Sequence, residues 1–215
     1  MRIHGKFRQF WSRNKGIITF VILLFCVRSS LADWYHIPSG SMLPTIEIGD
    51  RIFVNKAAYR LDIPFTDIHI GEQIYPERGD IVVFDSASAG QLLIKRVIGL
   101  PGDRIAMHNN TLTINGQRIS YRSHNDGRAT EILPGLSHRL QFDGRANRFS
   151  SFTEVTVPDG MLLVLGDNRN HSADSRVHGF VPVSELKGKA ISVVASFNPD
   201  KFYLPKPDRY LVPLI

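Results

Sequence analysis

Residues 104–121, RIAMHNNTLTINGQRISY, contain three short apolar runs separated by two asparagine-containing turns. The runs are Arg104–His108, Thr111–Ile114 and Arg118–Tyr121. Asn115-Gly116 favours a two-residue type I′ turn, whose twist matches that of paired antiparallel strands. This stretch therefore predicts consecutive antiparallel strands rather than helices.

The rest of the chain repeats this pattern of short Val-, Ile-, Phe- and Leu-rich runs between turns. The further predicted strands are Arg51–Asn55, Asp80–Phe84, Leu92–Ile98, Glu154–Val157, Met161–Leu165 and Ala190–Phe197. Many short strands predict a mainly β, antiparallel-sheet domain over residues 35–215. Residues 122–152 are rich in Arg, His, Asn, Gly and Ser, so we expect an insertion or a long loop there.

Charge is distributed unevenly along the 215 residues, whose net charge is +6. Six of the 26 basic groups and none of the 20 acidic groups lie in residues 1–32, so the remaining 183 residues carry 20 of each. A balanced domain does not predict a nucleic-acid partner. A single cysteine, Cys26, excludes an intrachain disulfide and a cysteine-built zinc site.

The basic leader precedes an apolar run at residues 17–27. We expect a cytoplasmic tail at 1–15, a transmembrane helix at 16–34 and the β domain on the far side, following the positive-inside rule. The 17 residues from Gly16 to Ala32 would span roughly 25 Å as a helix, slightly short of the ~30 Å hydrocarbon core. A cleavable export signal is the alternative, because Ser30-Leu31-Ala32 is a small-x-small cleavage site.

The segment that follows, Ile37–Thr45, reads IPSGSMLPT. Its prolines restrict the backbone to a non-helical path, and Gly40 permits close approach of a ligand. A plain Ser/Gly turn between the leader and the first strand is the simpler interpretation.

Lys95 lies in the predicted strand Leu92–Ile98, between apolar residues on both faces. A buried ammonium loses hydration, which lowers its pKa, and a lysine that is neutral near pH 7 is able to act as a general base. Pairing with a carboxylate, or escape of the amine to solvent, is the alternative.

The third segment, Gly166–Arg176, is a polar loop after an apolar strand. We expect ion pairs of Asp167, Arg169, Asp174 and Arg176 to hold its shape. Ser172 is the better candidate for orienting a catalytic side chain.

At these residues the chain resembles bacterial signal peptidase I, a membrane-bound serine endopeptidase. Four blocks match in order and cover about a quarter of the chain: Ile37–Thr45, Gly79–Phe84, Ile94–Asp103 and Gly166–Pro182. The order of the blocks and the preceding apolar run make a chance match improbable.

The resemblance implies a role for each matched residue. Ser41 falls on the nucleophile, Lys95 on the general base and Ser39 on the hydroxyl that helps Ser41 stabilise the oxyanion. Ser172 falls on the serine that hydrogen-bonds the lysine, and the supporting charged residues fall on Asp167, Asp174 and Arg176. No metal or other cofactor is implied.

The resemblance also implies the substrate and the location. Preproteins would be cut after small residues at −1 and −3, in a pocket walled by Ile37, Met42, Leu93 and Ile94. Membrane lipid would be a second partner, with a single-pass protein in the bacterial inner membrane and its catalytic domain on the periplasmic side. The family often has an aromatic residue where this sequence has Leu93, which affects the groove rather than the dyad.

Other functions remain open on sequence grounds. A Ser-His-Asp hydrolase is disfavoured because no G-x-S-x-G motif is present. A related Ser/Lys peptidase of a conjugation or secretion system, or a non-catalytic envelope-facing binding domain, would share much of the same pattern.

Overall fold

A computed structural model describes residues 3–66, 68–124, 126–142 and 147–214. Within these ranges the longer helix is α1 (Ile3–Ser30), the shorter is α2 (Ser175–His178), and single 3₁₀ turns lie at Lys56–Ala58, Arg169–His171, Val183–Glu185, Pro199–Lys201 and Pro207–Arg209. The strands of the described residues are β1 (Ala32–His36), β2 (Asp50–Asn55), β3 (Leu61–Asp62), β4 (His69–Ile70), β5 (Ile81–Ser86), β6 (Gln91–Gly99), β7 (Arg104–His108), β8 (Thr111–Ile114), β9 (Gln117–Arg118), β10 (Ser120–Ser123), β11 (Arg128–Leu133), β12 (Leu136–Gln141), β13 (Phe152–Thr156), β14 (Met161–Leu165), β15 (Val181–Pro182), β16 (Leu186–Asn198), β17 (Leu204–Pro205) and β18 (Val212–Pro213).

The main sheet is antiparallel and follows the order β1-β2-β16-β5-β6-β14-β15, with β17 and β18 also paired to β16. A second sheet has the order β13-β7-β8-β9, and a third has the order β10-β11-β12. The predicted mainly β, antiparallel class is confirmed. The long central strand β16 joins the strand after the Ser41 turn to the pair of strands that carries Lys95.

The turns at residues 104–121 form as the sequence predicts. Asn115 and Gly116 both have positive φ, 51° and 79°, which is the backbone that a type I′ turn requires. Three predicted strands, Arg104–His108, Thr111–Ile114 and Met161–Leu165, have the observed bounds. The predicted strand Arg118–Tyr121 is instead divided at Ile119, whose side chain packs into the core.

For the segment 122–152 the sequence predicted an insertion or a long loop, and the structure shows strands rather than a long loop. Strands β11 and β12 form a hairpin that pairs with β10, although residues 125 and 143–146 lie outside the described part of the chain. The buried positions of the hairpin alternate regularly, but two of them are Glu131 and His138. Because ionisable residues occupy core-facing positions, the apolar alternation that identifies a strand was missing from the sequence.

The N-terminal region begins with α1, which ends at Ser30, and Leu31 leads directly into β1. Residues 32–34, which were expected within the apolar anchor, pair instead with β2. No helix among the described residues is sufficiently long and apolar to cross a membrane.

The core consists of three apolar clusters, and strand β6 contacts all of them. Ile98 belongs to the cluster around β7 and β8, Val97 to the cluster between β5 and β14, and Ile94 packs on the cluster beneath the Ser41 turn. Both faces of β6 are therefore covered, as the sequence predicted, and Lys95 is held inside the protein.

Candidate active site

The Ser41 turn connects β1 to β2 and is fastened to the core by its apolar residues. Met42 and Ile46 are buried, while Ser41 is partly exposed at the rim of a cleft. The Ile46 N–H donates to the Met42 carbonyl at 2.9 Å, and the Ile37 N–H donates to Asp50 O at 2.9 Å. The turn thus holds the serine hydroxyl at a fixed place above the sheet.

Lys95 reaches this hydroxyl from strand β6. Its Nζ lies 3.0 Å from Ser41 Oγ and donates to the Ile94 carbonyl at 2.9 Å. The side chain is only 2% exposed, and no described carboxylate forms a salt bridge with it. Burial lowers the pKa of Lys95 to about 8, against the opposing effect of Asp174 and Asp167. A substantial fraction of the amine is therefore neutral near physiological pH.

A cleft of about 320 Å³ opens beside the two side chains. All four residues predicted as pocket walls line it: Ile37, Met42, Leu93 and Ile94. Ser39 is exposed and lines the same cleft, so the structure brings Ser39, Ser41 and Lys95 to one place. Apolar walls around a serine and an amine would suit a substrate with small apolar side chains.

Ser172 lies beside this pair without bonding to it. Its side chain is 2% exposed, and its Oγ has no hydrogen-bond partner among the described residues. A Cβ added at Gly166 would clash with Ser172 Oγ and lie 2.5 Å from Ser41 O, so Gly166 permits both to approach. The hydrogen bond expected between Ser172 and Lys95 is not present in the structure.

The predicted ion pairs do hold the polar loop, with one unexpected partner. Asp174 binds Arg176 through contacts of 2.7 and 2.6 Å and accepts from the Gly166 N–H at 2.9 Å. Asp167 binds Arg96 instead, at 2.9 and 2.7 Å, with both side chains fully enclosed. Arg96 was not among the predicted site residues, although a second charge in an apolar strand was a signal that could have identified it.

Asn168 is a further residue that sequence reasoning did not assign to the site, whereas Arg169 was expected in the ion pairs of the loop, without a named partner. The Asn168 backbone N–H donates to Ser41 O at 3.1 Å, and Asn168 Nδ2 donates to Gly40 O at 3.0 Å. Arg169 forms a bidentate salt bridge with Glu131, with N–O distances of 2.8 and 2.7 Å. Nothing local in the sequence marks Glu131, which lies 38 residues earlier in the segment expected to be a loop.

Burial and pairing act in opposite directions on the buried carboxylates. Burial alone would raise the pKa of Asp167 and of Glu131, but Arg96 and Arg169 respectively outweigh it, and both pKa values lie below their usual range. His138 lies between these carboxylates, 3.3 Å from Glu131 and 3.5 Å from Asp167. Burial lowers the pKa of His138 to about 4, so its ring is neutral at physiological pH.

Comparison with known proteins adds independent information. A family model described as signal peptidase, peptidase S26, matches residues 11–195. A probable signal peptidase I-2 of Synechocystis sp. is 36% identical over 183 residues, covering 82% of this chain and 69% of its own. The signal peptidase I of Pseudomonas aeruginosa is 34% identical over 220 residues, covering 91% of this chain and 76% of its own.

The chain belongs to the signal peptidase family, peptidase S26. It is a serine endopeptidase by family membership, and the resemblance to bacterial signal peptidase I is confirmed. The matched region includes the Ser41 turn, strand β6 and the polar loop after β14. A solved signal peptidase I from Enterococcus faecalis V583 is 34% identical and covers 54% of this chain and 96% of its own, with a TM-score of 0.37.

Within the part of the chain that the structure describes, no group of three or more His, Cys, Asp or Glu side chains is placed to hold a metal ion.

Proposed function

We propose that this protein removes signal peptides from exported preproteins with Ser41 as nucleophile and Lys95 as general base. The observation that carries the proposal is the 3.0 Å separation of Lys95 Nζ and Ser41 Oγ, with the lysine 2% exposed. A buried amine with a pKa of about 8 is a competent base near neutral pH.

The reaction begins when neutral Lys95 accepts the Ser41 hydroxyl proton as Oγ attacks the scissile carbonyl carbon. The Ser41 N–H and the Ser39 hydroxyl stabilise the resulting oxyanion, each donor contributing ~3–4 kcal/mol in comparable sites. The C–N bond breaks, and Lys95 gives its proton to the departing amine. Water then attacks the acyl ester and passes a proton to Lys95. The ester C–O bond breaks and Lys95 returns this proton to Ser41 Oγ, which restores the serine hydroxyl and the neutral amine.

The supporting residues take positions consistent with this reaction. Asp167, Asp174 and Arg176 hold the loop that lies behind the dyad. Ser172 offers an unpartnered hydroxyl beside Gly166, which would accept a hydrogen bond from Lys95 during the reaction. The apolar cleft accommodates small residues at −1 and −3 of the substrate.

The location follows from the same function. We place residues 1–15 in the cytoplasm and residues 16–31 in the bacterial inner membrane, with the β domain from β1 (Ala32–His36) onward on the periplasmic side. The charge asymmetry of residues 1–32 supports this orientation. Membrane lipid and preprotein signal sequences would then meet the enzyme at the same surface, which raises the local concentration of substrate.

A synthetic signal peptide with alanine at −1 and −3 tests the proposal. Wild-type protein should cut after the −1 alanine, as mass spectrometry of the products would show, and Ser41→Ala and Lys95→Ala should not. A matched peptide with phenylalanine at −1 should resist cleavage. Activity retained in either variant would exclude the dyad, and binding without cleavage by the wild type would favour a non-catalytic binding domain.

A further inference from the structure

The β11–β12 hairpin, residues 128–141, contacts both catalytic segments although none of the four matching sequence blocks includes it. The Gln141 N–H donates to Asp167 O at 3.0 Å, and Gln141 forms a parallel bridge with Asn168. Thr45 Oγ1, four residues after the serine, lies 3.4 Å from Arg139 O. The hairpin therefore supports the polar loop and the Ser41 turn from one side.

The strongest of these links joins Glu131 on β11 to Arg169 on the polar loop. Two bonds connect them, and both side chains are 0% exposed. The Glu131 oxygen Oε1, which accepts from Arg169, also accepts from the Tyr121 hydroxyl at 2.5 Å, and this hydroxyl itself accepts from the Leu112 N–H at 3.1 Å. The position of the Arg169 guanidinium is thus fixed by Glu131 of the third sheet, which Tyr121 links to Leu112 of the second sheet.

Arg169 is covalently adjacent to the residue that holds the Ser41 turn. Asn168 binds the carbonyl of Gly40 through its side chain and the carbonyl of Ser41 through its backbone N–H. These two bonds orient the peptide groups on either side of the Ser41 Cα, and the first of these groups, Gly40–Ser41, contains the Ser41 N–H. A displacement of Arg169 would move Asn168 and rotate that N–H.

We propose that Glu131 is a positioning residue, which acts through Arg169 and Asn168 to orient the Ser41 N–H for oxyanion stabilisation. This inference rests on the proposed function, because it assigns Glu131 a role in the same reaction. Donors aimed at the transition-state oxyanion raise kcat more than they affect substrate binding, so the role is visible in kcat.

The main test replaces both partners at once, in the Glu131→Leu/Arg169→Met variant. Removing both charges avoids leaving one buried ion uncompensated, so the variant should fold. With the alanine signal peptide as substrate, kcat per folded enzyme should fall about 10²-fold, as expected for a displacement of order 1 Å, while KM changes less than about threefold. Glu131→Gln keeps the volume of the side chain and should also lower kcat. It provides the test if the double variant does not fold.

Asp103→Asn is the matched control. It weakens a mostly buried pair with Arg78 at 2.9 Å in another part of the molecule, so it should lower the melting temperature and leave kcat per folded enzyme unchanged. The proposal is overturned if the Glu131 variants retain wild-type kcat, or if Asp103→Asn loses kcat equally. Failure of the Ser41→Ala and Lys95→Ala controls to abolish cleavage would instead overturn the proposed function itself.

Discussion

Lys95 and Arg96 are neighbouring cations on one strand, both buried, yet their surroundings differ completely. Lys95 faces the cleft and contacts a neutral hydroxyl and a carbonyl. Arg96 faces the opposite side and grips the Asp167 carboxylate with two nitrogens, while its third binds Gly79 O at 2.8 Å. The comparison separates burial, which both share, from pairing, which only Arg96 has.

The difference shows how one strand supplies both a base and a support. Burial without a counterion lowers the pKa of Lys95 to about 8, so the amine is able to release its proton. Arg96 remains charged and keeps the pKa of Asp167 low despite the burial that would raise it. Neither residue type would serve in the other position, because guanidinium does not lose its proton and ammonium lacks the planar fork.

Breaking the ion pair of Arg96 and Asp167 should have the largest effect on the stability of the protein. Arg96→Met leaves Asp167 buried without its counterion, and such losses typically cost 3–5 kcal/mol, so we expect a fall of about 4 kcal/mol in the free energy of unfolding. Urea unfolding followed by circular dichroism measures it. Arg96→Met/Asp167→Leu is the control and should be markedly more stable than the single variant. Equal stability of the two would mean that the pairing is not what holds Asp167.

Replacing Lys95, the cation without a counterion, should raise the free energy of unfolding instead of lowering it. Lys95→Met abolishes activity but eliminates the cost of burying an ammonium. A pKa lowered from 10.5 to about 8 corresponds to about 3 kcal/mol, which the variant should gain at pH 7.

The gain should depend on pH in a defined direction. Between pH 8 and 10.5 the unfolded lysine binds more protons than the folded one, so wild-type stability rises with pH and the advantage of Lys95→Met shrinks. Lys187→Met, at a partly exposed position on β16, is the control and should show no such trend. A Lys95→Met variant that is less stable than the wild type at pH 7 would contradict the comparison.

The next largest effect should be the dependence of the cleavage rate on pH. Because only neutral Lys95 acts as a base, kcat/KM, which reports the pKa values of the free enzyme, should rise about tenfold per pH unit below pH 8 and level off above it. Asp167 and Glu131 have lowered pKa values and His138 titrates near pH 4, so these buried neighbours keep their charge states from pH 6 to 9. A rate that is flat from pH 5 to 9 would exclude a lysine base.

His36 lines the same cleft and needs its own control. The His36→Gln variant should keep the midpoint of the profile, whereas a shifted or lost midpoint would assign the titration to the imidazole.

Lys95 and the buried ion pairs also differ in how far the sequence could predict them. Lys95 stood out because an apolar strand flanked it on both sides, and the structure places it 3.0 Å from Ser41. Strand bounds set by turn residues, such as those of β7 and β8, were likewise predictable from local pattern. These features depend on residues that are close in sequence.

The supporting pairs depend on distant residues and were not predictable in this way. Arg96 meets Asp167 across 71 positions, and Glu131 meets Arg169 across 38. Glu131 and His138 also occupy positions on the buried face of the hairpin where apolar residues are usual. For that reason the sequence pattern did not predict strands β11 and β12. Local periodicity cannot indicate which charge a buried charge will contact, because pairing is decided by the sheet order.

The smallest effect on stability should come from the loss of one further hydrogen bond to Asp167, the carboxylate that is paired with Arg96. Thr45 Oγ1 donates to Asp167 Oδ2 at 2.5 Å, on the carboxylate that Arg96 already grips. Because the arginine fork remains, Thr45→Val should lower the free energy of unfolding by about 1 kcal/mol, the net value of one typical hydrogen bond. Thr45→Ser keeps the hydroxyl and should be close to the wild type in the same urea experiment. If Thr45→Val is as damaging as Arg96→Met, the stability of the buried carboxylate depends on its full set of donors rather than on its counterion, and the contrast with Lys95 is one of hydrogen bonding rather than of charge.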